Sequence, residues 1–263
     1  MTEIVLSPFD ITASGIVAAA RAAEAAGFEA IWTYDHISGV SFGGRPVLDS
    51  WTVLAAVAAH TSRVALGPLV VNTVARHRAH IAVATASLQQ LSGGRVQLGL
   101  GAGAGPESPY SLELAMVGMP VLPAAERRQR VVDTVAFLRA LWAREPGYEA
   151  ILVPAPIPPI IIAANGPKMA AVAGRVADAV NFHDWQPDLP EAIRAALDAA
   201  RVAGNERFEI TLEVPFEDEW LRADSGVRRD AAALGISRVM VRWHAALGVD
   251  AISRAAAWTR RIG

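Results

Sequence analysis

The sequence predicts a single (β/α)₈ barrel, an α/β fold that spans residues 1–263. About eight short apolar segments alternate with helical segments along the chain. The apolar segments are rich in Val, Ile and Leu, as parallel strands covered on both faces should be. A length of 263 residues is normal for one such barrel. A doubly wound open sheet shows the same alternation, but eight units in one chain favour closure.

The elements follow in a regular order. The predicted strands are IVLSP, EAIWT, RVALGPLVV, RVQLGLG, PPIIIAA, DAVNFH, RFEITLEV and ISRVMVRW. The predicted helices are SGIVAAARAAEAAG, WTVLAAVAAHT, AHIAVATASLQQLSGG, PAAERRQRVVDTVAFLRALW, GPKMAAVAGRVA, LPEAIRAALDAARVAG, a segment from about Gly226 to Leu234, and DAISRAAAWTRRI. Gly27 is a predicted helix C-cap, Asp49 or Ser50 a predicted N-cap, and Pro123 lies near a helix start.

Composition excludes several classes of function. The net charge is −2 and the pI is near 6.3, so nucleic acid and anionic membranes are not expected partners. The absence of cysteine excludes disulfides and thiolate metal sites. The N-terminal residues MTEIVLSPFD do not resemble a signal peptide, and the longest apolar run, VPAPIPPIIIAA, is short and broken by proline. We expect a cytosolic globular protein.

Two long loops, 34–48 and 102–122, follow strand ends, where barrel enzymes build their active sites. Asp35 and His36 lie at the start of the first loop. A histidine there can move a proton near neutral pH, and an adjacent aspartate can fix its tautomer or raise its pKa. A capping or salt-bridged pair in an ordinary loop is the alternative.

The fourth strand runs into the glycine-rich stretch LGLGAGAG, residues 98–105. It is not a dinucleotide fingerprint, because PESPYS follows instead of a helix that opens at the last glycine. We expect the glycines to let a backbone turn approach something flat or bulky. A glycine-rich turn without a ligand is the alternative.

The fifth strand is followed by Asn165, Gly166, Pro167 and Lys168, the last being the single lysine of the chain. Pro167 fits a first helical position, so free backbone N–H groups and the helix dipole would favour an anion here. This turn is a predicted phosphate site, with an ordinary turn as the alternative.

The third strand contains Gly67 and Pro68, which predict a bulge or an unusual peptide because central strands exclude proline. Asn72 is then a polar group at the mouth. His77 and His80 lie near a helix start, where capping is expected rather than metal binding.

Four stretches in order resemble the bacterial-luciferase-like superfamily of flavin and deazaflavin oxidoreductases. They are AAEAAGFEAIWTYDH, DSWTVLAAVAAHTSRVALG, RHRAHIAVATASLQQLSGGRVQLGLGAG and PPIIIAANGPKMAAVAGRVADAV. The resemblance covers residues 14 to about 185. It implies a barrel that is usually dimeric, acts on a small-molecule substrate, and uses reduced FMN with oxygen or coenzyme F420 as hydride carrier. The YDH triplet most resembles the F420 branch.

The resemblance also implies roles for individual residues. His36, with Asp35 beside it, would lie close to the reactive ring of the cofactor and the substrate. A bulge supporting the back of the ring, often a non-prolyl cis peptide, would fall near Leu69 and Val70, with Asn72 as the neighbouring polar group. Further cofactor contacts would come from the glycine turn and the phosphate loop: Ala102, Gly103, Asn165, Gly166 and Pro167.

The sequence departs from the family pattern at three places. Ala104 stands where some F420 enzymes carry a catalytic glutamate, and Arg78 replaces the proline of the usual RHP triplet. The segment 143–157 is shorter than the insertion that often covers the pocket in relatives. We therefore expect a more open pocket, and sugar-phosphate substrates are not supported.

Two other functions fit the same fold. Carboxylates and imidazoles near strand ends could bind a divalent metal, as in barrel isomerases, although their spacing forms no compact motif. These residues are Asp35, His36, His183, Asp184, Glu213 and His244. The chain could also be a flavin-binding relative without catalytic activity, because the glutamate is missing at Ala104.

Overall fold

The computed structural model describes residues 1–9 and 11–259. The strands are β1 (Thr2–Leu6), β2 (Ala30–Thr33), β3 (Ala65–Pro68), β4 (Val71–Asn72), β5 (Leu98–Gly101), β6 (Ile160–Ala163), β7 (Ala179–His183), β8 (Glu209–Pro215) and β9 (Ile236–Trp243). The helices are α1 (Ala13–Ala26), α2 (Ser50–His60), α3 (Arg78–Leu91), α4 (Leu112–Met116), α5 (Ala124–Trp142), α6 (Pro167–Val176), α7 (Leu189–Val202), α8 (Asp218–Leu221), α9 (Gly226–Ala233) and α10 (Val249–Thr259). Short 3₁₀ turns cover Val40–Phe42, Pro109–Ser111 and Ala245–Leu247.

The parallel strands close into a barrel, in the order β3-β2-β1-β9-β8-β7-β6-β5-β4. The two ends of this order, β3 and β4, are successive pieces of the same predicted strand. Across the remaining seam, the N–H of Leu66 donates to the carbonyl of Arg95, and the N–H of Gln97 donates to the carbonyl of Leu66, both at 3.0 Å. The predicted barrel is therefore confirmed, and the open sheet is excluded.

The third predicted strand is interrupted at its centre. It splits into β3 and β4 around a cis peptide between Leu69 and Val70. This confirms the irregularity predicted from Gly67 and Pro68, and it is the position that the family resemblance indicated. The interruption explains why the barrel has one more strand than the eight predicted.

Side chains alternate between the inside of the barrel and the layer under the helices, as the strand period requires. The inner apolar cluster contains one or two residues from most strands: Val5, Ala30, Trp32, Leu69, Ile161, Ala179 and Met240. The larger cluster lies between the sheet and the helices and includes Ile4, Leu6, Leu98, Leu100, Ile162, Phe182 and Val241. The barrel interior is thus a narrow core, and most apolar burial lies outside it.

Several predicted helix boundaries are confirmed. Gly27 ends α1 in the left-handed conformation at φ 94°, and Oδ1 of Asp49 caps α2 by accepting from the N–H of Thr52 at 3.0 Å. His77 caps α3 through Nδ1, which accepts from the N–H of Ala79 at 3.3 Å. The last helix reaches Thr259, and its predicted continuation to 262 lies outside the described residues. Within the described part of the chain, no helix is both long and apolar enough to cross a bilayer.

The expectation that the short segment 143–157 opens the pocket is wrong. This segment leads from the C-terminus of α5 to the N-terminus of β6, at the end of the barrel opposite the mouth. There Nε2 of Gln89, near the end of α3, donates to the carbonyl of Pro156 at 2.6 Å. Because a helix-to-strand connection in this topology lies at the N-terminal end of the strands, its length does not change access to the mouth.

Candidate active site at the barrel mouth

The two long loops that follow β2 and β5 meet at the mouth of the barrel. Oγ of Ser41 donates to the carbonyl of Pro109 at 2.6 Å, and the rings of Phe42 and Tyr110 lie 5.3 Å apart between centroids. The expectation that both loops lie at the C-terminal ends of the strands is confirmed, and they contact each other there.

His36 lies between these loops in an aromatic pocket. Its ring centroid is 5.5 Å from that of Phe9 and 4.9 Å from that of Phe42. Nδ1 lies 3.2 Å and 3.3 Å from the two carboxylate oxygens of Glu113 in α4. One ring nitrogen is therefore held by a carboxylate, and Nε2 is the nitrogen left for a ligand.

Glu113 is a site residue that the sequence analysis missed. Burial raises the pKa of its carboxyl, but hydrogen bonds from His36 and from the N–H groups of Ile37 and Ser38 outweigh burial and hold the pKa below its usual value. The carboxylate is then ionised and acts only as an acceptor, so Nδ1 of His36 is the donor. Ala104 occupies the position where some family members carry a catalytic glutamate. Glu113, nine positions later, brings a carboxylate to the mouth instead. No local sequence motif identifies Glu113 as a partner of His36, because the two residues meet only through contact between the two loops.

The expectation that Asp35 orients His36 is wrong. The buried carboxylate of Asp35 accepts from Nε and Nη2 of Arg76 at 2.6–3.1 Å, and from Oγ of Ser50 at 2.6 Å. Nη2 of Arg76 also reaches Oδ2 of Asp49 at 2.7 Å. Adjacent residues of an extended chain point in opposite directions, so Asp35 ties its loop to α2 and to the loop before α3, while His36 faces Glu113.

The predicted cofactor residues at β4 and just after β5 lie close together, since a Cβ on Gly103 would lie 2.6 Å from Oδ1 of Asn72. Oδ1 of Asn72 accepts from the N–H groups of Val74 and Ala75 at 3.0 and 3.3 Å, which fixes the turn after β4. A Cβ on Gly99 or Gly101 would meet Pro68 or Val70 within 2.1–2.4 Å. These two glycines therefore make room for the irregular strand of the protein itself. Leu69 is buried in the barrel interior, and Ala102 packs partly buried against the outer core.

Replacing Gly103 by alanine should lower the free energy of unfolding by more than the same change at Gly118. Both glycines are left-handed, at φ 64° and 71°, and an alanine there costs about 1–2 kcal/mol. Only at Gly103 would the new Cβ also lie 2.6 Å from Oδ1 of Asn72, whereas nothing lies within 4 Å of it at Gly118. Urea unfolding of the two variants measures the difference, and equal losses would show that Asn72 moves away without cost.

The predicted phosphate loop follows β6 at the same end of the barrel. Gly166 has φ 125° and precedes α6, whose N-terminus has no side-chain cap and begins with Pro167. Asn165 and Lys168 are exposed. A Cβ on Gly166 would lie 3.4 Å from Oδ2 of Asp188. The free N–H groups and the lysine suit an anion, whereas the nearby carboxylate opposes one.

A second polar cluster lies inside the barrel at the mouth. Tyr34, His183, Glu213 and Arg242 are inward-facing residues at or near the C-terminal ends of β2, β7, β8 and β9. Their hydrogen bonds include Tyr34 Oη to Glu213 Oε1 at 2.7 Å and Arg242 Nη1 to Asp184 Oδ1 at 2.9 Å. The sequence signal was present, because β8 and β9 carry polar residues at alternate positions, as in Glu209, Thr211 and Glu213.

The six residues of the metal hypothesis do not assemble. Arg76 binds Asp35, Glu113 binds His36, and the cation of Arg242 lies beside Asp184 and Glu213. Within residues 1–9 and 11–259, no three His, Asp or Glu side chains form a group that could hold a metal ion. A divalent-metal isomerase is therefore not supported.

A cleft of about 500 Å³ lies beside the mouth, between the start of α3 and α5. It is lined by Arg76, His77, Arg78, Glu126 and Arg130, among others, and contains none of the predicted cofactor residues. Its charges are mixed, so it does not favour one class of ligand.

The sequence profile of the family described as luciferase-like monooxygenase matches residues 3–217. The chain is 32% identical over 213 residues to an F420-dependent hydroxymycolic acid dehydrogenase of Mycobacterium tuberculosis, covering 76% of this chain and 56% of the relative. It is 34% identical over 168 residues to an F420-dependent glucose-6-phosphate dehydrogenase of Beutenbergia cavernae, covering 59% of this chain and 48% of the relative. The chain thus spans about half the length of the curated relatives it matches.

Solved structures show the same fold. An F420-dependent secondary alcohol dehydrogenase in complex with an F420–acetone adduct superposes with a TM-score of 0.78 at 18% identity, covering 99% of this chain and 100% of the other. The monooxygenase RslO1 from Streptomyces bottropensis superposes with a TM-score of 0.72 at 21% identity, covering 97% and 96%. At these identities the superpositions support the barrel fold.

Proposed function

Because the chain belongs to the luciferase-like monooxygenase family, we propose that it is an oxidoreductase that transfers a hydride between coenzyme F420 and a small organic substrate. The observation that carries this proposal is the imidazole–carboxylate pair of His36 and Glu113 at the mouth, with Nδ1 and Oε2 3.2 Å apart. The names of the curated relatives, F420-dependent dehydrogenases, support the choice of cofactor.

The residues at the mouth fit such a cofactor. The uncapped start of α6, the exposed Lys168 and the left-handed Gly166 suit its phosphate. When bound, F420 supplies a ring carbon that gives or accepts the hydride. We assign Leu69, Val70, Asn72, Ala102 and Gly103 to the wall beside the ring.

His36 performs the proton transfer that accompanies the hydride. Glu113 accepts from Nδ1, so Nε2 has a free lone pair and can take the proton of a substrate hydroxyl as a carbonyl forms. The carboxylate of Glu113 stabilises the resulting imidazolium, and in the reverse direction His36 returns the proton. The aromatic rings of Phe9 and Phe42 limit access of water to His36.

Purified protein should bind F420 at least about tenfold more tightly than FMN, a difference of about 1.4 kcal/mol. Fluorescence titrations with each oxidised cofactor measure this difference. Tighter binding of FMN would point instead to an FMN-dependent luciferase-like monooxygenase. Binding of F420 without hydride exchange would point to a cofactor-binding protein without catalytic activity.

Replacing Gly166 by alanine should weaken F420 binding about tenfold or more, because it displaces the N–H groups that face the phosphate. Asp188→Asn should strengthen binding by removing a like charge next to that loop. Gly204→Ala is the matched control, since Gly204 is also left-handed, at φ 70°, but lies in the turn after α7, away from the mouth. Equal affinities of the Gly166 and Gly204 variants would remove the phosphate assignment.

We also propose that the protein is a homodimer, as the family resemblance implies. Sedimentation equilibrium should give twice the chain mass of 27.8 kDa. A mass of one chain at micromolar concentration would contradict this proposal.

A further inference from the structure

A second imidazole–carboxylate pair lies inside the barrel, formed by His183 and Glu213. The two residues are direct neighbours in the register of β7 and β8. Nδ1 of His183 is 3.4 Å from Oε2 of Glu213. Both atoms are fully buried, and neither has a hydrogen-bond partner. Unpartnered buried polar atoms are costly, so two of them facing each other indicate a site where a proton can lie between them.

Tyr34 holds the other oxygen of this carboxyl. Its hydroxyl donates to Oε1 of Glu213 at 2.7 Å. Burial and the neighbouring Glu213 raise the pKa of Tyr34 well above its usual value, so the hydroxyl remains a donor. The Tyr34 ring is also 6.4 Å from that of His36 between centroids. Tyr34 therefore lies between the two imidazole–carboxylate pairs of the mouth.

The charged groups around Glu213 leave its carboxyl without a strong ion pair. Nη1 of Arg242 is 3.8 Å from Oε1 of Glu213 but only 2.9 Å from Oδ1 of Asp184, which partly neutralises it. Burial raises the pKa of Glu213 to about 7, against the opposing effects of Tyr34 and Arg242. Burial and Arg242 lower the pKa of His183 to about 4. Near neutral pH the imidazole is neutral and the carboxyl exchanges a proton.

We infer that Tyr34, His183 and Glu213 form a second proton-exchanging group, which takes up and returns one proton for a substrate bound at the mouth. The substrate part of this inference rests on the proposed function. The His183 side chain is about 24% exposed while Nδ1 is buried, so the exposed part consists of other side-chain atoms, and Nε2 is the ring nitrogen left for a substrate. Trp185 stacks on this imidazole with centroids 4.1 Å apart and fixes its plane.

The proton route follows from this geometry. In a substrate orientation that places the hydroxyl at His183 instead of at His36, the hydroxyl proton passes to Nε2 of His183 as the proton on Nδ1 passes to Oε2 of Glu213. With F420 bound, the two electrons would leave the same carbon as a hydride to the cofactor, and a carbonyl would remain. Reduction of a carbonyl reverses each transfer, so Glu213 ends as a carboxylate in one direction and as a carboxylic acid in the other.

Infrared titration of the protein alone tests the proton-exchanging group. We expect a carboxylic acid C=O band that disappears with a midpoint near pH 7 and is absent in Glu213→Gln. Glu217→Gln, an exposed glutamate just beyond the same strand, should retain the band. Tyr34→Phe should move the midpoint to higher pH, because the lost hydrogen bond had favoured the carboxylate. A band unchanged in Glu213→Gln, or no carboxyl that titrates above about pH 6, would overturn the inference.

Turnover with F420 tests the role in the reaction. For substrates that retain turnover in His36→Ala, Glu213→Gln should lower kcat about a hundredfold and remove the limb of the pH profile near 7, with the Kd for F420 changed less than about threefold. If no substrate retains turnover in His36→Ala, the group takes no proton from a substrate and this part of the inference fails. If kcat keeps that limb in Glu213→Gln, the group is not part of turnover and the inference fails. If the wild-type protein does not bind F420, the proposed function fails, while the infrared titration still decides whether this group exchanges a proton.

Discussion

Replacing His36 by alanine is expected to lower turnover with F420 by about a hundredfold or more, while the cofactor still binds. A positioned acid–base group typically contributes a factor of this size. His36 is the imidazole at the meeting point of the two long loops, and its Nδ1 is held 3.2 Å from Oε2 of Glu113. The change in F420 absorbance with a panel of small alcohols and ketones measures turnover, and fluorescence measures cofactor affinity.

The companion variant Glu113→Gln tests whether Glu113 acts on turnover by positioning the His36 ring or through the charge of its carboxylate. It preserves the side-chain oxygen that can accept from the N–H of Ile37, but removes the charge that stabilises an imidazolium at His36. We expect a smaller loss of kcat than in His36→Ala, about tenfold. His60→Ala is the control, because His60 is exposed at the end of α2 opposite the mouth. Turnover that survives intact in His36→Ala would assign the proton transfer to another group, such as His183 and Glu213.

Replacing Arg238 by methionine is expected to lower the free energy of unfolding by about 3–5 kcal/mol, because it leaves a buried carboxylate without its cation. Arg238 and Glu3 are both buried at the N-terminal end of the barrel, with Nη1 3.1 Å from Oε1. Nη1 also donates to Oε1 of Gln97 at 2.8 Å, and Nε1 of Trp32 donates to Oε2 of Glu3 at 2.7 Å. The network therefore spans the interior of the barrel.

The loss in Arg238→Met should depend on pH. Burial raises the pKa of Glu3 even in the intact protein, with Arg238 opposing it, so removing the arginine raises it further. A raised native pKa means that the folded state binds more protons, so stability falls as pH rises above the unfolded value near 4.5. Urea unfolding at about pH 5 and pH 8 should show the larger loss at pH 8.

Two further variants check this explanation. Glu3→Gln combined with Arg238→Met should recover part of the loss at pH 8, since no buried charge remains. Arg201→Met, at an exposed arginine paired with Asp198 on α7, should cost less than about 0.5 kcal/mol. A loss in Arg238→Met that is the same at both pH values would assign the effect to packing instead of charge.

The local signals in the sequence were reliable where a few neighbouring residues decide the outcome. Gly27 and Asp49 determine helix ends through their own backbone or side-chain geometry, and both predictions are confirmed. The break in the third strand was also predicted, because Gly67 and Pro68 are residues that a central strand excludes. Alternation of strands and helices over the whole chain was enough to predict the barrel.

The partners of the titratable groups could not be predicted in this way. Asp35 and His36 are adjacent in sequence, yet Arg76 binds one and Glu113 binds the other. Those partners are 41 and 77 positions away, and their positions depend on how the loops after β2, β4 and β5 fold against each other. The glycines of residues 98–105 were expected to let the backbone approach something flat or bulky, and Gly99 and Gly101 do so against Pro68 and Val70 of the protein itself. The sequence could not identify these partners, because the close approach of neighbouring strands is a tertiary property.

The sequence by itself determined the fold class and the position of the two long loops, with His36 in the first of them, at the C-terminal end of the barrel. These conclusions follow from the alternation of apolar strand and helix segments along the chain, and from residues that determine only the structure of their immediate neighbours. Tertiary structure alone decided that Glu113 supplies the carboxylate for His36 and that Tyr34, His183 and Glu213 converge inside the mouth. The physical reason is that closing the barrel brings residues from distant strands and loops within hydrogen-bond distance, where burial and neighbouring charges set their pKa values.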